Sequence, residues 1–405
     1  MNILIINLHS ALNFGDQAIL TKTLDLIESN YPEAKISLMA NHPQSWKDVF
    51  NIDVIPSFIN YTNDKKVSTK FFKIVNLSVI LLFDLLKLKI SYPAKITTII
   101  NSIDEADKVI SCGGGNYYSN TVLGGDFILN LITIIYAGLK KKPVFMLPQS
   151  FGPFRVRFHF FLLRLGLLFS NKIFVRENVS YKLLRTIKIP KHKVEVLPDL
   201  ALALDFHTQM KEEFTRSYGF KIGVTIIDRG EQYKKFNKQK MYIDELINTS
   251  KYLINKLNSS IYLFVQCYGP TIDQNDNLVT SEVFHKLKTY HNNVYLLNNF
   301  QKPEEIITQL SQMDLIIASR MHTAIFGLIS YVPTLLIGYQ PKAKGLFALF
   351  ELNDFYISID QIEPNIIKNK LEYLIDHRLK FVNQVDFYLP KIRQQIIERF
   401  KSLPW

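Results

Sequence analysis

The chain has 405 residues, 47% of them hydrophobic, and two cysteines, Cys112 and Cys267, each within an apolar run. That length exceeds one ordinary core and predicts two domains, while two cysteines exclude a disulfide framework or a cysteine zinc site and fit a reducing cytoplasm. The formal net charge of +12 asks for an anionic partner, but the aromatics fall in continuous Phe and Leu runs rather than on a stacking surface, which argues against nucleic acid.

The opening MNILIINLHS has no basic n-region and no small-residue cleavage site, so it reads as a first strand over 3–8 rather than a signal peptide. Asn13-Phe14-Gly15-Asp16 leads into a helix over 17–29, with Asp16 at the N-cap position. Gly15 there serves a tight turn or brings backbone against a ligand. After a strand over 35–39, the tract 60–102 fits the alternation poorly and reads as a helical insertion. Its most apolar window, 74–88, carries Asn76, Ser78, Asp84 and Lys87 and falls short of a spanning helix. A strand over 108–112 runs into Cys112-Gly113-Gly114-Gly115-Asn116, a predicted loop before a helix over 121–139. Three successive glycines let backbone N–H groups approach an anion or a sugar, but their spacing is neither a dinucleotide nor an ATP motif.

The strand over 144–147 ends in Pro148-Gln149-Ser150-Phe151-Gly152-Pro153, where Gln149 can hydrogen-bond a sugar hydroxyl or simply sit in a turn. The strand over 173–175 ends in Arg176-Glu177, which is either a cleft cation or a structural ion pair. The strand over 194–197 is followed by Asp199, a base or a cap. The polar stretch 204–221 is the predicted linker. The second half repeats the pattern, with strands over 222–227, 261–267, 294–297, 315–318, 334–337 and 355–359, then a closing helix over 380–400. Apolar runs alternating with amphipathic segments are the signature of βα units. They predict two Rossmann-like, doubly wound α/β domains facing a cleft: residues 1–205, residues 206–379, and a C-terminal helix, 380–405, packing back on the first domain.

The most informative stretch is Ser319-Arg320-Met321-His322, between the strand over 315–318 and a predicted helix over 323–330. A strand-to-helix turn offers free backbone N–H groups and the positive end of the helix dipole, and so suits an anion. Lys342 and Lys344 follow the next strand. Two consecutive strand ends thus carry Arg, His, Lys and Lys, and open parallel sheets bind ligands at such ends. The nine histidines are scattered and no metal-ligand motif is present. Basic charge concentrates in 154–194, with ten Lys/Arg against one Glu, and in 65–95, with seven Lys against one Asp. Both tracts carry long apolar runs, a pattern that fits either an anionic membrane surface or core helices with a solvated basic face.

Taken in order, NFGDQAI, CGGGN, PQSFGPF, VRENVS, PDLAL, SRMHTAIFG and GYQPKAKG resemble the polysaccharide pyruvyl transferase family. The resemblance runs from residue 13 to about 345. It implies a fold like that of the two-domain GT-B glycosyltransferases, with the N-terminal domain on the acceptor side and the C-terminal domain on the donor side. It implies transfer of the enolpyruvyl unit of phosphoenolpyruvate to a sugar of a cell-surface polysaccharide or its lipid-linked precursor, forming a pyruvate ketal. By motif position Arg176, Arg320, His322, Lys342 and Lys344 would bind the donor. Asn13, Gly15, Gly114, Gly115, Asn116 and Gln149 would face the acceptor. His322, Arg320 and Asp16 would be catalytic, with Asp16, Glu177 and His322 as alternative proton donors to the enol carbon. The scheme requires neither a metal nor a cofactor; phosphoenolpyruvate is a co-substrate. Expected partners are that donor, a glycan or lipid-linked acceptor, an anionic membrane surface on the cytoplasmic side, and a second copy of the chain. A nucleotide-sugar glycosyltransferase of the same fold and a non-catalytic glycan-binding protein at the membrane surface are the competing readings.

Overall fold

A computed structural model of the protein describes residues 1–403 except 63–66, 89, 120, 123, 207–217 and 229–235. Most of the predicted linker therefore lies outside the described residues. The chain forms two compact units. One comprises Met1–Ala11, Ile19–Leu200 and the chain from Glu398 onward, and the other Leu12–Ala18 and Ala201–Ile397.

The first unit is built on β1 (Asn2–Leu8), β2 (Lys35–Ala40), β3 (Asp53–Pro56), β4 (Lys108–Ser111), β5 (Gly114–Ser119), β6 (Val144–Phe154), β7 (Lys172–Val175) and β8 (Val194–Val196). They form one sheet in the order β3-β2-β1-β4-β6-β7-β8, with β5 beside β6, and every pairing is parallel. The second unit carries β9 (Lys221–Thr225), β10 (Ser260–Phe264), β11 (Val294–Leu297), β12 (Leu315–Ala318), β13 (Thr334–Gly338) and β14 (Tyr356–Ser358). Their order is β11-β10-β9-β12-β13-β14, again all parallel. Both sheets grow one way from their first strand and then reverse. The point of reversal lies between β1 and β4 in one unit and between β9 and β12 in the other, and it is there that open α/β sheets place their ligands. The central strands are uniformly apolar (Leu4, Ile5 and Ile6; Leu315, Ile316 and Ile317 are all buried), because crossover helices cover both faces of a parallel sheet.

Several expectations need correction. Gly114, Gly115 and Asn116 do not form a loop; they open β5, whose Gly114, Tyr117 and Ser119 pair with Gln149, Phe151 and Phe154. The expected turn at Pro148–Pro153 is accordingly the second half of β6. Short β3 has no clear signal, being bounded by Asp53 and Pro56. Helix Phe14–Asn30 starts earlier than predicted. Asn13, not Asp16, occupies its cap: the Asn13 Oδ1 accepts from the Gly15 N–H at 3.0 Å and its carbonyl accepts from the Asp16 and Gln17 N–H groups. The described residues of the tract 60–102 include helix Val67–Leu85, as a helical insertion would, but helix Ala94–Glu105 is the ordinary crossover from β3 to β4. It buries Ile96, Ile99, Ile100 and Ile103, a one-sided stripe at helical spacing. Among the described residues no helix is long and apolar enough to cross a membrane.

Candidate functional site

In the second unit, the ends of β9 and β12 are tied together at the point of reversal. The Ser319 N–H donates to the Thr225 hydroxyl at 3.0 Å, and the Tyr242 hydroxyl donates to the Ser319 hydroxyl at 2.6 Å. Burial raises the Tyr242 phenol above its usual range, the Ser319 hydrogen bond opposing it, so it stays a neutral donor. The helix that follows spans Met321–Ile329 and every one of its residues is buried. It begins two residues before the predicted position, since Met321 and His322 are already packed inside. Arg320 is therefore the N-cap residue and His322 lies in the first helical turn, among N–H groups that have no intrahelical acceptor.

Arg320 is not an open cation. Its Nε donates to the Asp276 Oδ2 at 2.9 Å and its Nη2 to the Asp276 Oδ1 at 2.5 Å. Asp276 is only 1% exposed and begins helix Asp276–Tyr290, capped by the Asn275 side chain on the Asn277 N–H. Burial disfavours the charged Arg320, but the Asp276 carboxylate outweighs it and holds the guanidinium well above its ordinary range. The pair fixes the turn through two parallel hydrogen bonds, the strong geometry for guanidinium and carboxylate.

His322 is 9% exposed and is packed against the first helical turn of Phe14–Asn30. A Cβ placed on Gly15 would fall 2.0 Å from the His322 Nδ1, so glycine is required by the imidazole, not by its own helical backbone. The segment Leu12–Ala18 is seated by the Tyr268 N–H on the Leu12 carbonyl (2.8 Å), the Phe14 N–H on the Gln266 carbonyl (3.3 Å) and a bridge between Asn13 and Cys267. The Gln266 side chain in turn accepts from the Thr323 hydroxyl. Two helix N-termini, those of Phe14–Asn30 and Met321–Ile329, thus converge on the His322 ring, and half-buried Asp16 lies in the first of them. Burial pushes the Cys267 thiol beneath up to about 12, which leaves it neutral and unsuited to nucleophilic work. On the neighbouring strand end, helix Pro341–Ala348 follows β13, with Lys342 half-buried and Lys344 exposed in its first turn.

The remaining sequence candidates belong to the first unit. Asn116 Nδ2 donates to the Asn7 carbonyl at 2.6 Å, and Asn7, at φ 62°, donates to Ser111 and Tyr117. Gln149 is fully buried and donates to the Cys112 carbonyl, while its Oε1 has no hydrogen-bond partner. Arg176 is buried against Asp199, Nη1 to Oδ2 at 2.6 Å, and its Nε donates to the Ser150 hydroxyl, leaving Nη2 without a partner. Ser150 and Ser180 both donate to the Glu177 carboxylate. The expected acceptor set is thereby divided: Asn13 and Gly15 sit with His322, and Gly114, Gly115, Asn116 and Gln149 sit in the other unit. Asp276, Gln266, Thr225, Tyr242 and Thr323 escaped sequence reasoning. Asp276 lies 44 positions from its partner Arg320, and of the five Thr323 alone falls within a motif, SRMHTAIFG, where nothing marked its hydroxyl as a partner of Gln266. Among the described residues no cluster of three or more His, Cys, Asp or Glu is arranged to hold a metal ion.

Comparison with known proteins gives this arrangement a context. Solved structures of similar architecture include the UDP-GlcNAc 2-epimerase of Neisseria meningitidis bound to UDP-GlcNAc (TM-score 0.57, 15% identity, 98% of both chains). Another is the Anabaena protein HepE in complex with UDP-glucose (TM-score 0.56, 15% identity, all of both chains). At these identities they establish the two-domain, GT-B-like fold alone. The amylovoran biosynthesis protein AmsJ of Erwinia amylovora is 22% identical over 95% of this chain and 94% of its own. The family model described as polysaccharide pyruvyl transferase matches residues 13–341, from the Asn13 cap through His322 to the helix that carries Lys342. The chain belongs to the polysaccharide pyruvyl transferase family.

Proposed function

We propose that the protein transfers the enolpyruvyl unit of phosphoenolpyruvate to two hydroxyls of a sugar in a cell-surface polysaccharide or its lipid-linked precursor, forming a cyclic pyruvate ketal and inorganic phosphate. The observation that carries the reading is the placement of His322: an imidazole in the first turn of a buried helix, with the Gly15 backbone against its ring. Phosphoenolpyruvate brings a carboxylate and a phosphate. Helix N-terminal N–H groups favour such anions, and Lys342 and Lys344 supply point charges at the adjacent strand end. With its charge already answered by Asp276, Arg320 acts as a positioning residue that holds the turn.

In the proposed reaction the enol carbon takes up one proton, giving an oxocarbenium-like centre at the neighbouring carbon. The first sugar hydroxyl adds there and loses its proton. Cleavage of the carbon–oxygen bond to phosphate follows, with His322 as the general acid that protonates the leaving oxygen. The second hydroxyl then adds and loses its proton, so two hydroxyl protons balance one on the new methyl group and one on phosphate. Asp16, in the first turn beside Gly15, is assigned as the group that shuttles a hydroxyl proton. In the first unit Gln149 and Asn116, at the sheet end, are assigned to the acceptor glycan. Arg176 is assigned as an anion ligand through its Nη2. The test is phosphate release on mixing protein, phosphoenolpyruvate and a lipid-linked or polymeric glycan. Release that needs both substrates supports the proposal, and release of UDP from UDP-sugars in its place would make the protein a glycosyltransferase.

A further inference from the structure

The first unit presents an apolar surface that its own fold does not cover. Helices Val67–Leu85, Gly125–Leu139 and Phe158–Leu167 share one core, into which Leu77, Leu81, Phe127, Leu131, Leu163 and Leu167 point. Their inward faces are thus accounted for. Yet the first also exposes Phe71, Phe72, Val75, Val79 and Leu82, continued by Leu86 beyond its end, and the third exposes Phe158, Phe161 and Leu165, continued by Leu168. Phe72 is 70% exposed, Leu86 61% and Phe158 60%. Steps of three and four residues put each set on one side of its helix, and the intervening helix packs on both. Scattered exposed apolar residues need no explanation, but two stripes flanking one helix do.

The charge around them identifies the occupant. Lys87, Arg155, Arg157 and Arg164 are exposed beside the stripes. The nearby acids are already answered: Asp84 by Lys140 at 2.6 Å and by the Tyr136 hydroxyl, and Asp126 by Lys70 at 2.6 Å. Protein interfaces deplete charge at their centres, whereas long cationic side chains beside buried Phe and Leu suit the boundary between lipid headgroups and acyl chains. We propose that this face docks on an anionic phospholipid bilayer, with Phe72 and Phe158 inserted at the headgroup level and the Lys and Arg side chains on the lipid phosphates. The proposal is independent of the donor chemistry.

Co-sedimentation with phosphatidylglycerol–phosphatidylcholine vesicles tests it. Binding should fall as salt rises but level off, since the electrostatic part is screened and the apolar part is not. Pure phosphatidylcholine should bind at least about tenfold less. Arg157→Glu should weaken low-salt binding about fivefold or more, the effect of roughly one cationic contact. Phe72→Ser with Phe158→Ser should remove the salt-resistant part while leaving the melting temperature and phosphoenolpyruvate-dependent phosphate release unchanged. Failure to sediment with anionic vesicles at low salt overturns the proposal. So does a double variant that binds like the parent, or one that converts a dimer to a monomer without changing vesicle binding, which would make the face an interface between copies.

Discussion

Gly15→Ala is the sharpest probe of the site, because the structure says what the added methyl would strike. Gly15 has helical backbone that alanine accepts, so any cost is steric. Its Cβ would fall 2.0 Å from the His322 Nδ1, against 3.4 Å for ordinary contact, and the ring must retreat by about 1.4 Å. Overpacking of this kind costs about 1–3 kcal/mol, offset in part by the helix preference of alanine over glycine, about 0.5–1 kcal/mol. A net loss of about 1–2 kcal/mol, the middle of that range, should lower the melting temperature by roughly 2–8 °C for a unit of this size. A misplacement near 1 Å can cost about a hundredfold in rate, so phosphate release from phosphoenolpyruvate should fall by about that factor, as it should for His322→Ala. In the His322→Ala background the methyl has room, and Gly15→Ala should cost almost nothing. Contacting residues show such coupling, about 0.5–3 kcal/mol. Equal destabilisation in both backgrounds would refute the contact. Coupling in stability with an undiminished rate in Gly15→Ala would refute a catalytic His322.

Asp276→Leu leaves the partly buried Arg320 charge without its fully buried carboxylate and should destabilise by about 3 kcal/mol in denaturant melts, with Arg320→Met restoring most of the loss. Lys342→Ala with Lys344→Ala should raise the KM for phosphoenolpyruvate more than it lowers kcat, and high salt should shrink the difference between variant and parent. The thiols of Cys112 and Cys267, both buried, should react with an aromatic disulfide reagent only after unfolding. Burial raises the Cys267 thiol to about 12 against roughly 8.5 in an unfolded chain. The native state therefore binds the extra proton between those values, and stability should fall as pH rises through that window. Cys267→Ala should flatten that fall.

What was legible in the sequence was whatever rests on local pattern. Apolar runs such as 315–318 and 334–337 mark strands because a two-sided parallel sheet demands them, and the order of elements then leads to two doubly wound units. By contrast, β5 is Gly-Gly-Asn-Tyr-Tyr-Ser, polar and glycine-rich, and exists through its partner β6. The Arg320 and His322 strand end was visible as a basic turn, but a sequence does not show whether a cation at such a turn has a mate. Asp276 and Asp199 claim Arg320 and Arg176 from other elements. Gly15 read as a turn glycine, although its requirement comes from an imidazole more than three hundred positions away. Such packing across the sequence is set by tertiary approach, and local propensity carries no trace of it.

The chemistry itself is tested most directly by running the reaction in deuterated water and analysing the acceptor glycan by mass spectrometry. Protonation of the enol carbon by solvent-exchangeable protons predicts one pyruvyl ketal per phosphate released, with one solvent deuterium in its new methyl group. An acceptor left unmodified by phosphoenolpyruvate, or one extended by a sugar from a UDP-sugar donor, would contradict the pyruvyl-transfer account.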